Sequence, residues 1–139
     1  MPSKWKYDQQ IASDPDLCAP IIAQLLDQLV IFNWSTKDSF GIHMAMEEAI
    51  QNAIRHGNEC RAGKFVHVMI DLDALQFQST VTDEGQGFDP KAVPDPTEDV
   101  NLDKCSGRGV MLIKHFVDEV KYNPCGNSVT LSKKKTTTS

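Results

Sequence analysis

At 139 residues and a net charge of −5, the chain is long enough for one hydrophobic core and too short for two. The acidic balance argues against phosphate-backbone binding as the main task, because nucleic-acid binders present a basic patch, and no apolar run approaches membrane-spanning length. The N-terminal Met-Pro-Ser-Lys-Trp-Lys is not a signal peptide, and Cys18, Cys60, Cys105 and Cys125 include no Cys-x-x-Cys pair, so free thiols in a reducing cytoplasm are expected.

Trp5, Tyr7 and Ile11 share one parity and predict a first strand with a polar gap at Gln9. Ser13-Asp14-Pro15-Asp16 is a helix start, with the regular helix running from about Ala19 to about Phe32 because Pro20 is tolerated only near the first turn. Ser35-Thr-Lys-Asp38 is a second capping box and opens a helix to about Arg55. In it Ile42, Ala45, Met46, Ala49, Ile50, Ala53 and Ile54 form a core-facing stripe. Helical rotation turns Glu47, Gln51 and Arg55 toward water, and sets Glu48, Asn52 and His56 in a half-buried row along one border of the stripe.

Val66, Val68, Ile70 and Leu72 alternate as one strand, and Leu75, Phe77 and Val81 as another, joined by a short Asp73-Ala74 connection. Continuing by twos from Val81 reaches Asp83, on the buried face at the strand's end, where an unpaired carboxylate is costly. From Phe88 to Lys104 the pattern stops amid prolines and acids, too long for an ordinary connection, so a lid or a floppy insertion is expected. Ser106-Gly-Arg-Gly109 opens a helix to about Asp118, with Val110, Ile113, Phe116 and Val117 inward. Two last strands, Glu119–Asn123 and Ser128–Ser132, flank a Pro-Cys-Gly-Asn turn. Lys133-Lys-Lys135 and the closing Thr-Thr-Thr-Ser read as a solvated end, with a disordered tail over 134–139. The order is β-α-α-β-β-lid-α-β-β, an α+β chain with one sheet and its helices on one face.

Three stretches carry chemistry. An amide oxygen from Asn52 suits magnesium, which takes few protein ligands and keeps waters and nucleotide phosphates. Glu48, one turn earlier, could accept a proton from an attacking hydroxyl. Alone, this pair is a common polar border of an amphipathic helix, and His56 is more often a partly buried structural histidine than a catalyst. Asp83-x-Gly85-x-Gly87 offers a buried carboxylate for an exocyclic amine such as that of adenine, with glycines that let a flat ring approach the backbone. Ser106-Gly-Arg-Gly109 supplies helix N-terminal N–H groups for phosphate, with Arg108 as a nearby cation. The Walker loop and the Rossmann fingerprint are both absent.

In this order and spacing the three stretches resemble the Bergerat ATP-binding fold shared by gyrase, MutL and histidine kinases. The asparagine helix resembles that superfamily's N box, and Asp83 to Gly87 and Gly107 to Gly109 its two glycine boxes. Within it the chain most resembles the small anti-sigma-factor serine kinases of the RsbW and SpoIIAB type. The phrases that carry this are Glu47-Glu48-Ala-Ile-Gln-Asn52-Ala-Ile-Arg-His56-Gly57, Phe88-Asp-Pro, Ser106-Gly-Arg-Gly-Val-Met-Leu-Ile113 and Val117-Asp-Glu-Val120. The resemblance covers roughly residues 5 to 133.

The resemblance implies a two-layer α/β sandwich: a mixed, largely antiparallel sheet with helices on one face and an ATP lid at about 88–106. It implies one histidine-kinase-like ATP-binding domain over 1–133, with ATP and Mg2+ as cofactors. Glu48 would be the general base, Asn52 the magnesium ligand and Asp83 the adenine anchor. Gly85 and Gly87 would border the base, and Gly107, Arg108 and Gly109 the phosphates. Some members place arginine where this chain has Cys105, which leaves the γ-phosphate cation open between Lys104 and Arg108. The implied activity is phosphorylation of a serine on a STAS-type anti-anti-sigma partner, alternating with capture of a sigma factor, in a cytoplasmic homodimer that touches neither nucleic acid nor membrane. A binding module that sequesters a regulator without phosphate transfer is the alternative. Retention of both Glu48 and Asn52 favours the enzyme, and the chain has no room for a histidine kinase's dimerisation helix or for the transducer domains of gyrase and MutL.

Overall fold

The structure, a computed structural model, describes residues 4–85, 113–124 and 126–136. Strand β1 (Trp5–Ala12) leads through a single 3-10 turn (Pro15–Leu17) into α1 (Cys18–Ile31), followed by α2 (Thr36–Asn52). Strands β2 (Phe65–Leu72) and β3 (Gln76–Thr82) form a hairpin, and β4 (Glu119–Tyr122) and β5 (Ser128–Lys134) close the chain. The five strands lie in the order β1-β2-β3-β5-β4, and every pairing is antiparallel. The α+β architecture with one sheet is the expected one. Among the described residues no helix is long and apolar enough to cross a membrane.

Ser35 caps the second helix as its sequence position predicts, whereas at the first helix start Asp14, not Ser13, caps only the 3-10 turn, and α1 itself has no side-chain cap. Asp14 Oδ1 accepts the Asp16 N–H at 3.0 Å and Ser35 Oγ the Asp38 N–H at 3.1 Å, satisfying helix-end donors that otherwise lack partners. The whole predicted stripe of α2, from Ile42 to Ile54, is buried, together with Leu25 and Leu29 of α1. Val66, Val68, Ile70 and Leu72 of β2 meet it from the sheet, with Phe77, Val81 and Leu131. On β1 the parity also holds: Trp5, Tyr7 and Ile11 pack against this core while Gln9 stays exposed. Ile113 and Val117 are buried beside Phe116, in a segment that is helical over residues 113–116. Val110, Cys105 and the 88–106 stretch expected to form a lid lie outside the described residues.

Four local expectations are corrected. Leu75 is not a strand residue but an exposed turn residue, because the Asp73 carboxylate accepts the N–H groups of Leu75 and Gln76 at 2.7 and 2.8 Å and makes the turn. Gln51 does not face water: the Pro15–Leu17 turn lies against it, and its Nε2 donates to Pro15 O at 3.2 Å. The second helix does not stay α-helical to Arg55. From Ala53 to Gly57 it widens into a π turn, with Asn58 N–H donating to Ala53 O at 2.9 Å. The lysines near the end are held rather than solvated: Lys133 pairs with Asp38 at 3.7 Å, and Lys135 Nζ donates to Phe32 O at 2.6 Å while lying over the Trp34 ring.

Asp38 is the buried end of this C-terminal strap. Its carboxylate accepts the Thr136 N–H and hydroxyl, each at 2.9 Å. Burial alone would raise its pKa, but the two Thr136 hydrogen bonds and the Lys133 ammonium outweigh it and hold the carboxyl below the ordinary 3.8. A depressed folded value means that the unfolded chain binds the proton first. The stabilisation is therefore complete above pH 3.8 and is lost as pH falls through the lower folded value. Asp38→Asn is expected to lower stability at pH 7 by about 1–3 kcal/mol, with the gap to wild type closing below that window in urea melts taken across pH. A gap that stays constant down to pH 2 would contradict the assignment.

Candidate functional site

A cavity of about 450 Å³ opens where the C-terminal end of α2, the end of β3 and the β4–β5 turn converge. Asn52, His56, Gly57 and Asn58 line it from the helix side, Asp83, Glu84 and Gly85 from the strand end, and Tyr122, Asn127 and Ser128 from the last hairpin. Arg61 and Lys64 stand at the same cavity. Burial pushes the Tyr122 phenol up to about 12, so this wall stays neutral.

Two glycines let the helix end and the strand end touch. A Cβ on Gly57 would fall 2.2 Å from the Asp83 Oδ2, and one on Gly85 would fall 1.9 Å from the Gly57 carbonyl oxygen. No side chain fits at either position, so the Asp83 carboxylate lies directly over the backbone of Gly57. Gly85 N–H donates to Asp83 Oδ1 at 2.8 Å, and among the described residues Oδ2 has no donor. Asp83 is half buried. Burial raises its carboxyl pKa and the Gly85 N–H opposes that rise. A half-buried carboxylate in a cavity, with one oxygen that has no donor among the described residues, is a candidate site for a donor-bearing ligand.

Asn58, which the sequence reading passed over, organises this corner. It is 2% exposed, and its carboxamide places both N–H donors and one oxygen lone pair on protein partners. Nδ2 donates to Ser13 Oγ and to Phe65 O, both at 2.9 Å, and Oδ1 accepts the Glu84 N–H at 2.7 Å. Ser13 Oγ in turn donates to Lys64 O at 2.7 Å, and the Glu84 carboxylate accepts the Phe65 N–H. One side chain thus joins the end of β1, the start of β2 and the turn that carries Asp83. The only sequence signal was a Gly-Asn pair after a helix, which marks a turn but not a buried amide.

The row on α2 is divided. Asn52 is half buried and lines the cavity. Glu48, one turn earlier, is half buried, whereas Glu47 is exposed and paired with His43 at 3.3 Å. His56 is exposed at the cavity, not the half-buried packing residue expected from α-helical rotation. The π turn explains this, since a wider turn rotates the chain fewer degrees per residue and carries position 56 off the row. Gly87, Lys104, Gly107, Arg108 and Gly109 lie outside the described residues. Cys18 is a buried free thiol, with burial and then Glu47 raising it to about 11, and Cys60 is free and exposed.

The family model described as histidine kinase-like ATPase domain matches residues 11–133. The chain is 34% identical over 83 residues to an anti-sigma F factor of Halalkalibacterium halodurans, an alignment covering 58% of this chain and 56% of that protein. Anti-sigma F factors of Bacillus cereus and Pasteuria penetrans match over the same length at 34% and 31% identity. The chain therefore spans a little over half the length of these curated relatives. The crystal structure of the RsbU and RsbW domains of a Mycobacterium tuberculosis protein superimposes with a TM-score of 0.55 at 17% identity, covering 93% of this chain and 32% of that one.

Asn58→Ala is expected to cost on the order of 2–4 kcal/mol, because it orphans the Glu84 N–H, the Phe65 carbonyl and one partner of Ser13 together. Chemical denaturation measures this. A loss below about 1 kcal/mol would mean that water replaces the amide without penalty.

Proposed function

Since this chain belongs to the histidine kinase-like ATPase domain family, we propose that it is an ATP-dependent protein serine/threonine kinase acting as an anti-sigma factor of the RsbW and SpoIIAB type. Its acceptor is a serine on a STAS-type anti-anti-sigma partner, and in the alternative state it holds a sigma factor. The observation that carries this reading is that Asn52 and Asp83, 31 positions apart in sequence, line one cavity, with Glu48 one helical turn before Asn52. The anti-sigma F factor relatives support the partner class. A cytoplasmic homodimer belongs to the same proposal.

The residues fit an adenine nucleotide. Asp83 Oδ2 would accept the exocyclic amine of the base, and Gly57 and Gly85, which line the cavity, would present no side chain to the ring. Asn52 would supply an oxygen to Mg2+, in keeping with that ion's preference for few protein ligands. Bound ATP supplies the phosphoryl group that is transferred. Glu48 would take the proton from the acceptor hydroxyl as its oxygen bonds to the γ-phosphorus and the β–γ phosphoanhydride bond breaks, leaving the carboxylic acid on Glu48, the phosphoserine on the partner and ADP as the leaving group. Lys104, Gly107, Arg108 and Gly109 would hold the phosphates, and Gly87 would complete the border of the base.

Two outcomes test this reading. With Mg-ATP and candidate STAS proteins, Glu48→Ala should slow phosphate transfer by about 10²–10⁴-fold while ATP binding changes little. Transfer as fast as wild type would remove Glu48 as the base, and ATP binding without transfer to any partner would favour the sequestering module. The second outcome follows from Asp83. Its raised pKa means that protonation begins above the ordinary 3.8 as pH falls, and a protonated acid loses acceptor capacity, so ATP affinity should fall as pH falls through that raised value. The same shift means that folded stability declines as pH rises through the window, because the buried group must ionise. Asp83→Asn should therefore be at least as stable as wild type at pH 7 while binding ATP at least about 10-fold more weakly. Equal affinity in calorimetric titration would contradict the role of Asp83.

A further inference from the structure

The Asp83 turn is gripped from a second side by two asparagines that the catalytic reading does not use. Asp83 N–H donates to Asn127 O at 2.8 Å, and Asn127 Nδ2 donates back to Asp83 O at 3.2 Å. The Asn127 carboxamide is itself oriented, since its Oδ1 accepts Asn123 Nδ2 at 2.7 Å. Asn123 Oδ1 then accepts the main-chain N–H groups of Asn127 and Ser128 at 3.1 and 3.3 Å. The β4–β5 ladder reaches only as far as Tyr122 opposite Val129, so these amide bonds lie beyond the ladder and converge on Asp83.

We propose that Asn127 is a positioning residue for nucleobase selection: it fixes the depth of Asp83 in the cavity so that the free Oδ2 meets an amine and rejects a carbonyl. The proposal rests on the nucleotide reading above and adds to it what makes the site choose adenine. Adenine presents a donor amine at the purine C6 position, and guanine presents a carbonyl oxygen there. A fixed carboxylate leaves that carbonyl facing an anion with no proton between them, which is the kind of mismatch that gives strong rejection. Rejection fails if the acid can move away. Two features prevent this. Behind Oδ2 lies the backbone of Gly57, where even a Cβ would fall 2.2 Å away. Along the chain Asp83 is tied at both its N–H and its carbonyl to Asn127, while the next residue, Glu84, is tied through its N–H to Asn58. Of these ties, only the Asn127 side chain can be removed without breaking the core amide of Asn58.

The test is calorimetric titration of wild type, Asn127→Ala and Asn123→Ala with Mg-ATP and with Mg-GTP, each variant checked by thermal melting. Wild type should prefer ATP. Asn127→Ala should weaken ATP binding about 10-fold, as expected for one lost positioning hydrogen bond, while GTP binding stays within about twofold, so that the preference collapses. Asn123→Ala, which frees the Asn127 amide without deleting it, should move the ratio in the same direction by less, and it carries the test if Asn127→Ala does not fold. An ATP-to-GTP ratio equal to wild type in the folded variants overturns the proposal, as does equal weakening of both nucleotides. A wild type that binds ATP and GTP alike also overturns it and leaves the nucleotide reading standing, whereas a wild type that binds neither overturns both.

Discussion

The buried carboxamide of Asn58 is the contact on which the candidate site depends. An amide taken out of water must recover its hydrogen bonds inside the protein, and this one recovers them from Ser13, Phe65 and Glu84. Those partners sit at the end of β1, at the start of β2 and just after β3. Satisfying one side chain therefore brings three chain segments to the end of α2. The π turn at Ala53–Gly57 and the left-handed backbone of Glu59 (φ 54°) and Cys60 (φ 55°) are parts of the same arrangement. Non-glycine residues in that region cost on the order of 1 kcal/mol or more each. Such conformations persist where the surroundings over-determine them, and the Asn58 network does so here.

What the network holds in place is destabilising in its own right. The Asp83 carboxylate is pressed against Gly57, raised in pKa by burial, and given a single backbone donor among the described residues. A packing role would be served better by a neutral residue. A ligand that supplies a further donor would offset this cost, so the cost and the candidate function share one origin. Asp38 is the contrasting case. It is more deeply buried, yet its hydrogen bonds from Thr136 and the charge of Lys133 leave it stabilised as the anion. Asp38 and the half-buried Asp83 thus have opposite shifts, because Asp38 is met by Thr136 and Lys133 whereas, among the described residues, the Asp83 carboxylate is met only by the Gly85 N–H.

Much of this was legible in the sequence. Period-2 and period-3.6 patterns located β1, β2, β3, α1 and α2, since those patterns follow directly from which side chains must leave water. The same rotation separated Glu48 from Glu47, and the structure has Glu47 exposed and Glu48 half buried. The misses share a cause. Gln51, His56, Leu75 and the C-terminal lysines each depend on a partner distant in sequence or on a local departure from ideal geometry. Periodicity assumes a regular helix, so it could not register the π turn that moves His56 to the surface. Composition could not foresee that Lys133 and Lys135 would find Asp38, Phe32 and Trp34 about a hundred residues earlier in the chain. Asn127 reads as part of the Pro-Cys-Gly-Asn turn because asparagine is common in turns, and Asn58 carries no signal beyond a Gly-Asn pair after a helix. The burial of Asn58 and the shared target of both asparagines, the Asp83 turn, appear only in three dimensions.

The central claim is that the cavity between the end of α2 and the end of β3 is an adenine-nucleotide site anchored by Asp83. A crystal structure of the chain with magnesium and a non-hydrolysable ATP analogue tests it most directly. The account predicts the purine amine within hydrogen-bond distance of Asp83 Oδ2, the ring lying against the Gly57 and Gly85 backbones, and Asn52 on the metal. A nucleotide bound elsewhere, or bound in the cavity with Asp83 making no contact to the base, would contradict it.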